Sequence, residues 1–222
     1  MSYLKAITAR HSVRSYTDIA IKGEALAALR QAVSDGNRQS GLSMQLCLNE
    51  PKAFAGPMAR YGHFRNVKNY IALVGKKGPA LEEVCGYYGE KLVLEAQRLG
   101  LNTCWVAATY SKGKTAAVVN AGEKLLMVIA LGYGETPGAS RKTKSIEALC
   151  KVEGVMPEWF RRGMEAVQLA PTAVNQQKLR FTLADGAVTA TPGTGFYTKT
   201  DLGIAKLHFE IGAGESGWHW NE

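Results

Sequence analysis

Arg10-His11-Ser12-Val13-Arg14-Ser15-Tyr16 is the stretch near the amino terminus that most narrows the choice of fold and function. It places two guanidinium groups close together, with a hydroxyl between them and two more after them. Arginine binds phosphate through a planar fork of N–H donors, and a nearby hydroxyl can satisfy another phosphate oxygen. The segment therefore predicts a phosphate-binding site, although an exposed basic turn would explain the same residues.

A second polar segment, Ala170-Pro171-Thr172-Ala173-Val174-Asn175-Gln176-Gln177, lies in the second half of the chain. Asn and Gln side chains carry both donors and acceptors, so they match the mixed edge of a flat heterocycle. An ordinary loop at the end of a helix is the other interpretation, since Pro and Asn are common there.

Composition indicates a folded protein with an anionic ligand. With 222 residues, 46% of them hydrophobic, the chain is large and apolar enough to bury a full core. Its charged fraction is 21%. The formal net charge of +8 would suit a phosphorylated ligand, nucleic acid or an anionic membrane surface. The densest basic cluster, Arg141-Lys142-Thr143-Lys144, has no interleaved aromatic residue, so we expect no nucleic-acid partner. A basic protein that binds nucleic acid through this cluster stays an alternative.

Cysteine usage and hydropathy favour a cytoplasmic protein without membrane contact. The longest apolar run, residues 125–131, is too short to span a bilayer, and the amino terminus lacks a signal-type apolar region. No His/Cys spacing indicates a metal site. The cysteines form no C-x-x-C pair and are typical of buried, reduced thiols: Cys47, Cys85, Cys104 and Cys150.

Hydrophobic periodicity predicts helices alternating with strands in both halves. We expect helices at residues 2–9, 24–33, 87–100, 157–169 and 200–211, the second of them ended by Asp35-Gly36-Asn37. We expect strands at residues 45–48, 70–74, 103–107, 124–131, 179–183 and 187–191, the last two joined by an Asp185-Gly186 hairpin turn. The second half repeats the order of the first in weaker form, which indicates duplication, although two α+β segments can also align by chance.

The two polar segments together resemble the nitroreductase family. Residues 10–16 match the family's opening pattern, Arg-x-Ser-x-Arg-x-aromatic, and residues 170–177 are similar to its Ala-Pro-Ser-x-x-Asn-x-Gln loop. Residues 99–105 and Gly132-Tyr133-Gly134 fall in family order, so the resemblance extends over essentially the whole chain. It implies an α+β nitroreductase-like fold with two duplicated halves, residues 1–150 and 151–222, in one compact unit. Each half would carry an antiparallel-containing sheet flanked by helices, with pseudo-two-fold symmetry between them.

The same resemblance implies one FMN in the groove between the halves, with NAD(P)H as co-substrate and no metal. Arg10 and Ser12 would contact its phosphate and ribityl chain, His11 would contribute through its backbone, and Arg14 would lie near the pyrimidine edge. A cation there stabilises the negative charge that develops on reduction of the ring. The other cofactor-binding positions are Gly132, Tyr133, Arg141 and Lys142 on the phosphate side and Pro171, Thr172, Ala173 and Asn175 on the ring side, with Gln177 supporting the loop.

Complementary losses predict one intact flavin site per chain. The first-half counterpart of residues 170–177, at residues 36–41, has lost the pattern, and the second half has no counterpart of residues 10–12 before Trp159. The chain thus resembles a fused form of the family's dimer, which leaves a monomer or a homodimer open. Lys178-Leu179 replaces the family's usual Pro-Trp, which puts the shape of the pocket in question.

The predicted function is ping-pong hydride transfer from NAD(P)H to flavin and on to a nitroaromatic or quinone-type acceptor. No carboxylate dyad stands out, and no side chain is assigned as catalytic because the flavin performs the chemistry. A flavin-binding protein without acceptor reduction is the alternative. Glu90 and Glu95 are expected on a solvent-facing or ribityl-facing helix side, and we expect the later tryptophans to serve packing: Trp159, Trp218 and Trp220.

Overall fold

A computed structural model describes residues 1–215 and 217–221 of the chain. Its α-helices are α1 (Tyr3–Ala9), α2 (Gly23–Ser40), α3 (Pro57–Tyr61), α4 (Leu81–Arg98), α5 (Ile146–Leu149), α6 (Glu158–Gln168) and α7 (Thr198–Ala213). Its strands are β1 (Gln45–Cys47), β2 (Asn69–Lys76), β3 (Asn102–Val106), β4 (Glu123–Gly132), β5 (Cys150–Val152), β6 (Leu179–Ala184), β7 (Ala187–Pro192) and β8 (His219–Trp220). The predicted α+β fold class is confirmed. Within the described residues, no helix is long and apolar enough to cross a membrane.

The chain divides into two compact units. Unit 1 comprises Met1, Ala9–Leu81 and Lys91–Ser140, and unit 2 comprises Ser2–Thr8, Glu82–Glu90 and Arg141–Glu222. The sequence predicts two halves that meet at residue 150. In the structure, nearly all of α1 and the first half of α4 group instead with the second part of the chain. The duplication of the halves and their pseudo-symmetry stay predictions.

Unit 1 is built on an antiparallel sheet with strand order β1-β2-β4-β3. The two central strands pair along most of their length, from Asn69 opposite Leu131 to Lys76 opposite Glu123. From Leu125 onward β4 is buried at every residue, as expected for a run of branched apolar side chains covered on both faces. Gly132, the last residue of β4, therefore lies at the end of the most deeply buried strand of this unit.

Unit 2 contains a mixed sheet with strand order β5-β6-β7-β8. The predicted hairpin is confirmed, since β6 and β7 pair antiparallel around Asp185 and Gly186, which have φ values of 50° and 77°. Residues of α7 are largely buried, and its Phe209 ring lies at the centre of an aromatic cluster. The predicted packing role of the tryptophans is confirmed, since the rings around Phe209 are Trp159, Phe160, Phe181, Trp218 and Trp220.

Helix α2 is longer than the sequence pattern predicts. The expected stop at Asp35-Gly36-Asn37 is wrong, and the helix continues to Ser40 before Gly41 ends it in the left-handed conformation (φ 70°). Gly36 is buried, and a Cβ there would lie 2.7 Å from Cε of Met44. The glycine is thus used for close packing rather than for a turn. Residues 36–41 consequently form the last part of a helix and not a loop comparable to residues 170–177.

In unit 2, α4 and α7 meet at two glycines. A Cβ on Gly86 would lie 2.1 Å from the carbonyl oxygen of Thr200, and one on Gly203 would lie 2.0 Å from that of Glu83. The expectation that Glu90 faces solvent or a ligand is wrong. Its side chain is fully buried and its Oε1 lies 2.9 Å from Nε2 of His208, which is equally buried.

Candidate functional site

Residues 10–16, called here the Arg-His-Ser segment, leave α1 at Ala9 and run as an irregular edge of the sheet in unit 1. The Val13 amide donates to the carbonyl of Thr103 at 3.0 Å, and Ser12 pairs with Thr103 in a parallel bridge. On its other side, the Arg65 amide donates to the Arg14 carbonyl at 2.9 Å. Backbone hydrogen bonds therefore fix the path of the segment, so its side chains leave a rigid support.

Glycines allow the segment to lie this close to the end of β4. A Cβ on Gly132 would lie 2.9 Å from Cδ1 of Tyr16, and one on Gly138 would lie 2.6 Å from Cβ of His11. Gly138 also has a φ of 81°, which favours glycine on its own account. The structure thus brings Gly132 and the turn that follows it against the Arg-His-Ser segment.

Arg10 is the unusual side chain of the segment. It is only 3% exposed, and its Nε and Nη1 atoms are buried without a hydrogen-bond partner among residues 1–215 and 217–221. A buried charged donor without a partner costs free energy, and such groups are normally paired. An anionic oxygen brought by a ligand would satisfy these atoms, so the guanidinium fits the phosphate role that the resemblance implies.

Arg14 and Cys104 flank the same segment. The Arg14 side chain is exposed and its guanidinium carbon lies 5.9 Å from the centre of the Phe64 ring, within cation–π range. Burial raises the pKa of the Cys104 thiol, and the charge of Arg14, a hydrogen bond with Ser12 and the charge of Arg10 oppose that rise. The thiol is therefore neutral at pH 7 in a positively charged environment.

In unit 2, residues 171–177 form a loop with an unusual backbone, called here the ring loop. Val174, Asn175 and Gln177 have φ values of 45°, 56° and 47°, in the left-handed region. That region is unfavourable for a β-branched residue such as Val174. Its side chain is 97% exposed, so packing does not explain the conformation. Strain of this kind is concentrated at functional sites.

The polar side chains of the ring loop bond mainly to the segment after Arg141. Nδ2 of Asn175 donates to the Lys142 carbonyl at 2.9 Å, and Nε2 of Gln177 donates to the same oxygen at 3.1 Å. In return, the Lys144 amide donates to Oε1 of Gln177 at 2.7 Å. Arg141 itself donates from Nη2 to the carbonyl of Leu169. Asn175 and Gln177 thus help to shape the loop.

Asp201, in the first turn of α7, holds the ring loop from another direction. Its Oδ1 accepts a hydrogen bond from the Ala173 amide at 2.9 Å, and its Oδ2 accepts one from Nε2 of Gln176 at 2.8 Å. Burial raises the pKa of this carboxyl to about 6, and the bonds from Ala173 and Gln176 act in the opposite direction. Asp201 was not predicted from the sequence, because its partners Ala173 and Gln176 lie 28 and 25 residues away and no local pattern joins them.

The structure arranges the predicted positions in two groups. Unit 1 brings together Arg10, His11, Ser12, Arg14, Gly132 and Tyr133. Unit 2 brings together Arg141, Lys142, Pro171, Thr172, Ala173 and Asn175. That both groups bind one FMN stays a prediction. Gly138 was not predicted either, and its signal was the Thr136-Pro137-Gly138 turn one residue after the Gly132-Tyr133-Gly134 sequence.

A family model described as "Putative TM nitroreductase" matches residues 2–213 of the chain. A search of curated proteins gave no match.

Solved structures of similar fold come from several bacteria. A "putative nitroreductase" from Thermotoga maritima is 21% identical, with a TM-score of 0.67 and coverage of 95% of this chain and 83% of that one. A "putative nitroreductase" from Desulfovibrio desulfuricans, solved in complex with FMN, is 22% identical, with a TM-score of 0.53 and coverage of 71% and 99%. A "Putative NADH dehydrogenase/NAD(P)H nitroreductase" from Parabacteroides distasonis is 18% identical, with a TM-score of 0.52 and coverage of 66% and 95%. At these identities the likeness shows the fold.

Proposed function

The chain belongs to the nitroreductase family whose sequence model matches residues 2–213. From this premise we propose that it is an FMN-dependent oxidoreductase. The proposed electron donor is NAD(P)H, and the proposed acceptor is a nitroaromatic or quinone-type molecule. When bound, FMN supplies reversible two-electron redox chemistry, so the chain's own task is to bind and orient it.

The observation that carries the proposal is the buried Arg10 guanidinium. Two of its nitrogen atoms are buried without a hydrogen-bond partner in the described part of the chain, and the residue follows directly after α1, which ends at Ala9. A phosphomonoester offers several anionic oxygens to such donors. The hydroxyl of Ser12 follows two residues later, and Arg14 adds a second cation on the same segment.

The other half of the proposal concerns the ring loop. Its strained backbone and its exposed Val174 support a role in contacting a ligand rather than the core of unit 2. We assign the contacts with the isoalloxazine ring to Pro171, Thr172, Ala173 and Asn175, and we place Arg141 and Lys142 on the phosphate side. One FMN per chain is expected. The FMN complex of the Desulfovibrio protein and the NAD(P)H in the name of the Parabacteroides protein agree with the cofactor and the donor proposed here.

Absorption spectroscopy and FMN titration test the proposal directly. The purified protein, or the apoprotein titrated with FMN, should show flavin bands with about one FMN per chain, and NADH or NADPH should bleach them without oxygen. Arg10→Ala should release FMN, whereas Arg30→Ala, at an exposed site of α2 in the same unit, should retain it.

Different outcomes of the binding and reduction experiments would contradict different parts of the proposal. Undetectable FMN binding by the wild-type chain would contradict the proposed function. Bound FMN that neither nucleotide reduces would contradict the reductase activity and favour the flavin-binding alternative. A ratio near two would contradict the single-site prediction. A colourless protein with a salt-dependent gel shift would favour nucleic-acid binding.

A further inference from the structure

The ring loop places its unusual backbone between two hydrogen-bonded points. Val174 and Asn175, both with positive φ, follow Ala173 and precede Gln176 directly. The amide of Ala173 and the side chain of Gln176 both donate to the carboxylate of Asp201, at 2.9 Å and 2.8 Å. One carboxylate thus holds both ends of the left-handed pair.

The same carboxylate reaches a second loop through Gln176. The Nε2 atom of Gln176 donates to the carbonyl of Phe196 at 2.8 Å as well as to Asp201. The side chains of Phe196 and Val174 are 86% and 97% exposed, although both are large and apolar. The arrangement around Asp201 therefore presents two apolar side chains to the outside of unit 2 from two connected loops.

A helix-capping role does not account for this arrangement. An acid in the first turn of a helix interacts favourably with the helix dipole at the surface and does not require burial. Asp201 is only 3% exposed, and the burial that raises its pKa to about 6 still leaves it mostly ionised at pH 7. Its two oxygens each accept a hydrogen bond from another segment, whereas an Asn side chain would offer one acceptor oxygen and turn an NH2 donor toward the second N–H.

We propose that Asp201 is a positioning residue for the flavin ring, acting through the conformation of residues 173–176. It contacts the loop and not the cofactor. This inference rests on the proposed function, because it assumes that the ring loop contacts FMN.

Asp201→Asn in the 222-residue chain tests the proposal with two readouts. In the apoprotein, hydrogen exchange of the ring-loop amides should become about tenfold faster, since exchange reports local opening. FMN should bind about tenfold more weakly, and the visible bands of the bound flavin should move toward those of free FMN, because a charge-assisted bond is lost. Gln176→Ala should act similarly, and the double variant should be less than additive because the two side chains share one bond.

Asp185→Asn is the matched control, because it removes an exposed carboxylate from the β6–β7 turn of the same unit. It should change neither readout. Unchanged loop exchange in Asp201→Asn would overturn the inference while leaving the proposed function intact. Faster exchange with unchanged FMN affinity and spectrum would overturn the positioning role. Undetectable FMN binding by the wild-type chain would overturn the proposed function and this role with it.

Discussion

Arg10→Met should make the apoprotein more stable while abolishing its response to FMN. Methionine keeps most of the apolar stem of arginine and removes the guanidinium. In the folded chain, Nε and Nη1 of Arg10 are buried without a partner among the described residues. Leaving one buried donor unsatisfied costs about 1–3 kcal/mol, so two donors cost about 2 kcal/mol at the low end.

The size of the expected shift follows from that cost. For a chain of this length, 1 kcal/mol corresponds to about 2–4 °C in Tm, so apo Arg10→Met should melt about 4–8 °C higher than the apo wild type. FMN at 100 times its Kd should stabilise the wild type by about 2.7 kcal/mol and should hardly affect the variant. FMN should therefore bring the wild type level with the variant or above it.

Differential scanning calorimetry of both proteins, with and without FMN, measures this change. Arg30→Met, at an exposed site on α2, controls for the general effect of replacing an arginine in unit 1. A lower Tm of apo Arg10→Met would refute the reasoning, because it would mean that the guanidinium stabilises the folded chain without a ligand. An equal FMN-induced shift in both proteins would refute the assignment of the phosphate to Arg10.

Further predictions concern a glycine, a carboxyl group and the thiols. Gly138→Ala should destabilise the chain by about 1–3 kcal/mol in urea unfolding and weaken FMN binding, because a Cβ would meet His11 at a φ of 81°; Gly78→Ala, with open space around it, should do neither. The contribution of Asp201 to stability should fall as the pH rises from 3.8 to about 6, because its folded pKa is raised and the folded chain binds more protons in that window. The stability difference between wild type and Asp201→Asn should therefore change by on the order of 2 kcal/mol between pH 4 and pH 7, and a constant difference would contradict the raised pKa. All four thiols are buried, so Ellman's reagent at pH 8 should react slowly with the native protein and with four thiols per chain once it is unfolded. Rapid reaction of one thiol in the native protein would contradict the burial of all four.

Local sequence patterns were sufficient for most of the fold. The apolar runs of β2 and β4 and the Asp185-Gly186 hairpin depend on neighbouring residues, so the sequence locates them to within a few positions. Helix α2 differs, because Gly36 and its neighbours are typical of a turn, and only the approach of Met44 explains a glycine inside the helix. The length of α2 thus depends on a contact with Met44, which lies outside the helix.

In the candidate site, too, the sequence located features made of adjacent residues and not those that depend on distant ones. The Arg-His-Ser segment and the ring loop could be found because their residues are adjacent in sequence. Asp201 lies 28 residues from Ala173, and His208 lies 118 residues from Glu90. Pairs this far apart give no local pattern, so the sequence placed Glu90 on a solvent-facing or ribityl-facing helix side although it is buried beside an imidazole.

The aromatic cluster around Phe209 gives the protein an intrinsic fluorescence signal that is concentrated in unit 2. Trp159 and Trp218 lie with ring centres 6.1 Å apart and planes only 12° from parallel, and Trp220 is 5.1 Å from Trp218. The remaining tryptophan, Trp105, belongs to unit 1. Tryptophan fluorescence, excited beyond the tyrosine absorption band, should thus report chiefly on the melting of unit 2, and Trp105→Phe would remove the contribution of unit 1 to this signal. Loss of order in one unit ahead of the other could then be followed without attaching any dye.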